Sequence, residues 1–426
     1  MFLTFIGISI LTIFSIVTIL LYRSEKIPLF SLSGLATISF FFFISFPGVF
    51  ISQGIFFGHL NEFSKGVNLE LYVVNFIATF VFVASVFFGQ LFARNYSITF
   101  SQRLIISSKM FRLITLISLI IVFSTMYLSF ADGTSPLLQL LFSDKTVYEI
   151  LKYRIDLRSG TEGFLASKID WIFIPVATLL AFVYFDFLKH SKKAMMDFLI
   201  FFIAILFLLF LMFYRLGRDD FLIILFLLFN YSLLGTNKIH VAKFFYAFSI
   251  VVLAWLTFSV TSDKDFLDVL RDIAIRVYSQ TAFTYVQIDM IDGPIYFTGI
   301  KNHFSTDYIS PSKLAFTHVM GRSGGSTAGY GILNFYFIFG VFGFLISSIV
   351  IFLVSVVDRV FLNSTLSGKK LSVSIYASFI ALYLPSLLFN FFGIINFFIL
   401  FNTTGWVFIA SLLFLFRLQI FKLKKI

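Results

Sequence analysis

Arginines recur in pairs at helical spacing. Arg154 and Arg158 stand four apart in "YRIDLRSGTEG", and Arg215 and Arg218 three apart in "FYRLGRDDF". Arg271 and Arg276 occupy one apolar-periodic stretch, "DVLRDIAIRVYSQ". Residues three or four apart share a helix face, so each of the first two pairs would present two guanidinium groups together. A guanidinium meets phosphate in a planar, two-pronged way and stays charged where water is scarce. Arg322 lies in "GRSGGSTAGYG" (321–331), where glycines ahead of a helix could offer backbone N–H groups to an anion. Together these residues suggest a site for a polyanion, with a lipid diphosphate as the natural candidate.

Simpler readings stand beside each pattern. Asp268 and Asp272 can pair with Arg271 and Arg276 on a helix surface. Asp219 and Asp220 can neutralise a hairpin whose arginines reach toward headgroups, and headgroups could equally attract Arg154 and Arg158. The glycine-rich stretch is an incomplete phosphate-loop pattern and also reads as a plain lead-in to a span. His318 is a candidate proton acceptor, although a lone loop histidine is commonly structural. Asp156, Glu162, Asp289 and Asp292 are scattered and form no paired-carboxylate pattern, while His59, His303 and His318 lack metal-ligand spacing. The expectation is a metal-free, cofactor-free site, and the absence of cysteine excludes thiol chemistry.

The elements that must position these residues are membrane spans. Hydrophobic residues make up 59% of the 426, charged residues 12%, and the mean hydropathy is +0.98, more apolar surface than a soluble core needs. Apolar runs lie near 2–21, 28–50, 69–93, 112–131, 170–188, 195–214, 219–235, 243–261, 329–356, 372–390 and 391–416. They predict an all-α polytopic integral membrane protein of about 11 transmembrane helices, one embedded unit over 1–426. Around Pro385 and Gly393 the last pair could be a hairpin that does not fully cross. The first run has no basic region before it and no small-residue cleavage pattern after it, so it reads as a retained span.

Basic residues mark the inner side. The stretches 23–26, 93–112, 189–193, 236–243, 358–370 and 417–426 are basic and alternate as eleven spans require, which puts the N-terminus out and the C-terminus in. The net charge of +11 is thereby explained by topology, without nucleic acid. The Arg215–Arg218 hairpin then faces outward, where orientation gives arginine no reason to collect. Two long outer connections, 132–169 and 262–328, carry periodic apolar positions that suit interfacial helices. Chemistry is therefore expected on the outer face.

The outline resembles bacterial O-antigen and capsule repeat-unit polymerases. The resemblance rests on two arginine-bearing outer loops ("YRIDLRSGTEGF" followed by Pro175, and "IRVYSQTAFTYVQ" around Arg276) and an arginine after "LG" near a middle span. A last-loop exit of the form Asn-x-Tyr-x-x-x-Gly-x-x-Gly is met by Asn334, Tyr336, Gly340 and Gly343. O-antigen ligases are similar in architecture but often place a histidine directly before the motif's asparagine, where this chain has Leu333.

The resemblance implies a GT-C-like fold and a glycosyltransferase of the bacterial cytoplasmic membrane, active on the periplasmic or extracellular side. Such an enzyme moves a growing glycan from its polyprenyl diphosphate onto a new lipid-linked repeat unit. Donor and acceptor glycans, membrane lipid and a chain-length regulator are the partners it implies. In that setting Arg154 and Arg276 act catalytically with His318 as base and Glu162 or Asp156 behind it. Arg158, Arg215, Arg218, Arg322, Glu162, Asn334 and Tyr336 bind substrate. A flippase or exporter of lipid-linked sugars is the competing class, and an O-antigen ligase, which differs only in its acceptor, is the third reading; a flippase would place charge among the spans and show internal repeats, which are not seen here.

Overall fold

The computed structural model describes residues 2–28, 31–54, 68–99, 149, 331–365, 376 and 422–425. These build α1 (Phe2–Ser24), α2 (Leu32–Phe40), a π-helical turn (Phe41–Ser45), α3 (Phe46–Ser52), α4 (Leu69–Phe92), α5 (Gly331–Phe339) and α6 (Val341–Thr365). Strands β1 (Tyr96–Thr99) and β2 (Lys422–Lys425) pair antiparallel, Tyr96 opposite Lys425 and Thr99 opposite Lys422. Helix is what apolar sequence demands in lipid, because each segment then satisfies its own backbone.

Four rods, α1, α2 through α3, α4 and α6, are long and apolar enough to cross a membrane. At about 1.5 Å per residue the 24 residues of α4 reach about 36 Å, beyond a hydrocarbon core of about 30 Å. Large apolar side chains point outward along them: Phe5 and Ile13 on α1, Phe80 and Phe88 on α4, Phe342 and Leu345 on α6. Water would penalise such patches, whereas lipid tails accept them. The chain is a membrane protein, helical through most of its described length.

Polar caps set the starts of α2 and α4. Ser31 Oγ accepts from Gly34 N at 3.0 Å and Asn68 Oδ1 from Leu71 N at 3.1 Å, each satisfying a donor with no partner inside its own helix. Between α2 and α3 the backbone widens: Phe46 N bonds Phe41 O, five residues back. Pro47 follows at once. A proline ring clashes with the carbonyl four residues earlier and brings no N–H, so the wider turn accommodates it inside a continuous rod.

Packing follows small and polar residues. Phe40 stacks on Phe82 at 4.1 Å, and lower on the same pair of rods Asn75 Nδ2 donates to Ser45 O at 2.9 Å while the Ser45 and Thr79 hydroxyls meet at 2.8 Å. Thr79 donates its own proton to Asn75 O at 2.7 Å, so Ser45 is the donor in that hydroxyl pair. Helices α4 and α6 run side by side and parallel. Gly89 makes this possible: a Cβ there would stand 2.6 Å from Phe352 O and 2.7 Å from Ser355 Cβ.

Parallel neighbours constrain topology. A chain crossing a bilayer must cross an odd number of times between two parallel helices, and the sequence offers five apolar runs between α4 and α6. The β1–β2 pair likewise brings 96–99 and 422–425, both from stretches expected on the inner side, to one end of the bundle.

Three expectations need correction. The single run 329–356 is two helices, because Gly340 adopts φ 60° and ends α5. The stretch 358–370, read as a connection, is helical through Thr365, since the apolar run continues in Val360 and Leu362, both buried. The all-α reading lacked β1 and β2, a two-stranded pair at the bundle's end. Runs 2–21, 28–50 and 69–93 correspond to α1, the α2–α3 rod and α4. Those from 112–131 through 243–261, and 391–416, lie outside the described residues, as do both long outer connections apart from Glu149; within 372–390 only Tyr376 is described.

Gly89→Val should push α4 from α6 and lower stability by about 1–3 kcal/mol, read as a reduced melting temperature of the purified protein in detergent.

Candidate functional site

Two polar clusters lie at opposite ends of the α4–α6 pair. The first surrounds the start of α2. Leu32, Ser33 and Gly34 carry N–H groups that no helical carbonyl can reach, and Ser31, Leu32 and Ser33 are buried. Each donor has a side-chain acceptor. Leu32 N donates to Tyr376 Oη at 3.3 Å, Ser33 N to Asp358 Oδ2 at 3.0 Å, and Gly34 N to Ser31 Oγ at 3.0 Å.

Asp358, wholly buried on α6, is the hub of this cluster. Besides Ser33 N it receives Gln90 Nε2 at 2.8 Å and the Tyr376 hydroxyl at 2.6 Å. Gln90 Nε2 also lies 2.8 Å from Ser33 Oγ and 3.0 Å from Ser355 O. The carboxylate and the carbonyl fix the amide's orientation, since its oxygen would face acceptors if turned over. Among the described residues the hydrogen-bond partners of Asp358 are neutral. The positive end of α2 and three donors stabilise a carboxyl group that apolar surroundings would otherwise exclude. Its chemical capacity is capping and cross-linking, because its oxygens are occupied by the protein itself.

Around this cluster the chain ends of the rods are tied together. Tyr22 donates to Thr37 Oγ1 at 2.8 Å, which in turn donates to Ser33 O at 2.8 Å. Asn363 Nδ2 reaches Arg94 O at 3.0 Å and Tyr96 O at 2.8 Å, anchoring the turn into β1. Arg359 Nη1 donates to Lys26 O at 3.3 Å, and Arg94 meets Glu25 at 3.5 Å in an exposed ion pair of small energetic weight.

The second cluster is at the other end, where α5 meets the first turn of α4. Buried Tyr336 donates its hydroxyl to Glu70 Oε1 at 3.1 Å, and its ring stacks on Phe344 at 5.1 Å. Gly340, in the left-handed region, closes α5 as its N–H bonds Tyr336 O at 2.7 Å. At Gly343 a Cβ would collide with the Phe335 carbonyl, so only glycine lets α6 leave so close beneath α5. Three members of the Asn-x-Tyr-x-x-x-Gly-x-x-Gly pattern thus have direct structural roles: the tyrosine reaches α4 and the glycines make the break that aims it.

Of the expected site residues, Asn334 and Tyr336 lie on α5, and Tyr336 is the one whose side-chain contacts are described. Arg154, Arg158, Arg215, Arg218, Arg276, Arg322, Glu162 and His318 lie outside the described residues. Sequence reasoning passed over Glu70, an acidic residue two positions after a capping asparagine, and Asp358, which with Arg359 interrupts a run that is apolar on either side of the pair. No protein-family model, curated protein or solved structure matches the chain.

Asp358→Leu should leave Ser33 N–H, the Gln90 amide and the Tyr376 hydroxyl without their acceptor, at about 1–3 kcal/mol for each group left buried and unmade. Thermal melting in detergent should show a large loss for Asp358→Leu and a smaller one for Gln90→Leu; unchanged melting of both would deny the cluster its role.

Proposed function

We propose that this chain is a metal-independent glycosyltransferase that polymerises polyprenyl-diphosphate-linked oligosaccharide repeat units on the outer face of the bacterial cytoplasmic membrane. The observation that carries the reading is the α5–α6 break. The residues of the polymerase-like motif form a shaped helix entry there, with Tyr336 on an exposed carboxylate, at the end away from the basic strand pair. The long connection 262–328 leads into that entry, and its arginines are the type and number a diphosphate needs.

No nucleotide is needed outside the cell, because the glycosyl diphosphate already stores the driving force. The barrier lies in charge that develops on the departing diphosphate as the sugar carbon becomes cationic. Fixed guanidinium groups in a poorly hydrated cleft oppose it, and Arg154, Arg158, Arg215, Arg218, Arg276 and Arg322 are assigned that work. His318 and Glu162 are candidates for work on the acceptor side.

Transport of the same lipids is the second reading, and Asp358 is the observation in its favour, being a carboxyl group inside a span. Its oxygens are engaged by a helix start, an amide and a phenol, which suits a brace better than a cargo site.

Purified protein in detergent, given lipid-linked repeat units and no membrane gradient, should produce a ladder of longer glycans; a transporter would produce none. Arg215→Ala and Arg276→Ala should each lower the rate by about 10²–10³-fold. Near-normal polymer from both removes the proposed diphosphate site. In cells, Leu216→Cys should react with an impermeant thiol reagent and Asn237→Cys should not, a clean test because the chain has no cysteine of its own.

A further inference from the structure

Resting on the polymerase reading, the geometry points to Glu70, in place of His318, as the proton acceptor for the incoming sugar hydroxyl, with Tyr336 as its positioning residue. Any transfer to a hydroxyl needs a base within reach of the acceptor oxygen. Glu70 is an exposed carboxylate in the first turn of α4, at the end of the bundle away from β1 and β2.

An acidic residue in a first helical turn has an ordinary explanation, since it complements the helix dipole. That explanation accounts for a carboxylate at 70 but leaves its partner unaccounted for. The partner is a buried phenol 266 residues away in the chain, donating at 3.1 Å. Its ring lies on Phe344, and its helix is closed by Gly340 and admitted by Gly343. A surface carboxylate usually swings among rotamers. Here one oxygen accepts from a packed donor, and a carboxylate's second oxygen can still receive a proton.

In the reaction, the acceptor oxygen forms its bond to the anomeric carbon as its proton passes to Glu70. The bond from that carbon to the diphosphate oxygen breaks, and its electron pair leaves on the diphosphate, which the arginines hold. Charge balances, with a protonated carboxyl group at one side and a diphosphate at the other.

The test uses full-length purified protein and lipid-linked repeat units. Glu70→Gln should lower kcat by about 10²–10⁴-fold with little change in the acceptor KM and an unchanged melting temperature. Added formate should restore activity to Glu70→Ala, because a small carboxylate can occupy the vacated space and take the proton. Tyr336→Phe should lose less kcat than Glu70→Gln. A wild-type rate for Glu70→Gln overturns the assignment, as does a loss in Glu70→Ala that formate leaves untouched, which would make the carboxylate a brace. Polymer from the wild-type protein in those same assays keeps the polymerase reading standing; its absence removes both.

Discussion

A helix that begins inside a protein in lipid carries N–H groups with neither a carbonyl nor water to receive them, and the start of α2 is such a place. Asp358 answers that constraint. By accepting from Ser33 N, Gln90 and Tyr376 at once it fastens α2 to α4, to its own helix α6 and to the segment that holds Tyr376. The arrangement is mutual: the helix start needs an acceptor, and a carboxyl group needs donors to survive burial. Either alone would be costly, and together they specify how three rods meet.

From that junction the register of α4 against α6 follows. Gln90 meets Asp358, Gly89 meets Ser355 nearby, and a full helix length away Glu70 meets Tyr336. The small face of α4 at Gly89 lets the backbones approach, while polar pairs at both ends keep the helices from sliding. Lipid tails supply no hydrophobic drive for helix association, so close backbone approach and internal hydrogen bonds must provide it. Ser45, Thr79 and Asn75 repeat the same solution between the π-helical turn and α4.

The sequence was most legible where one physical rule dominates. Apolar length located α1, the α2–α3 rod and α4 to within a few residues, because lipid thickness sets span length. It misplaced the start of α6, where a hydrophobic count sees no difference between a residue in helix and Gly340 at positive φ. It ended that helix too early because Asp358 and Arg359 read as loop charges, and only tertiary partners reveal that the first is a core residue. The motif glycines were visible as letters, and their geometry was not. Glu70 escaped notice because its significance lies in a partner 266 positions away, a relation no local pattern encodes. The arginines of the outer connections fall outside the described residues.

The two clusters differ in a way that bears on function. At the basic end every oxygen of Asp358 is engaged and the carboxyl group is shut away from solvent, which gives rigidity and leaves no capacity for a ligand. At the far end the carboxylate of Glu70 is exposed and its tyrosine is buried, so the immobile partner holds the accessible one. A reactive site needs this asymmetry. Its reacting group must face the substrate, and the groups behind it must be fixed by packing so that little reorganisation is left for the moment of reaction. Rods locked at one end by a buried carboxyl group, and carrying a braced carboxylate at the other, separate these two demands along the length of a single pair of helices.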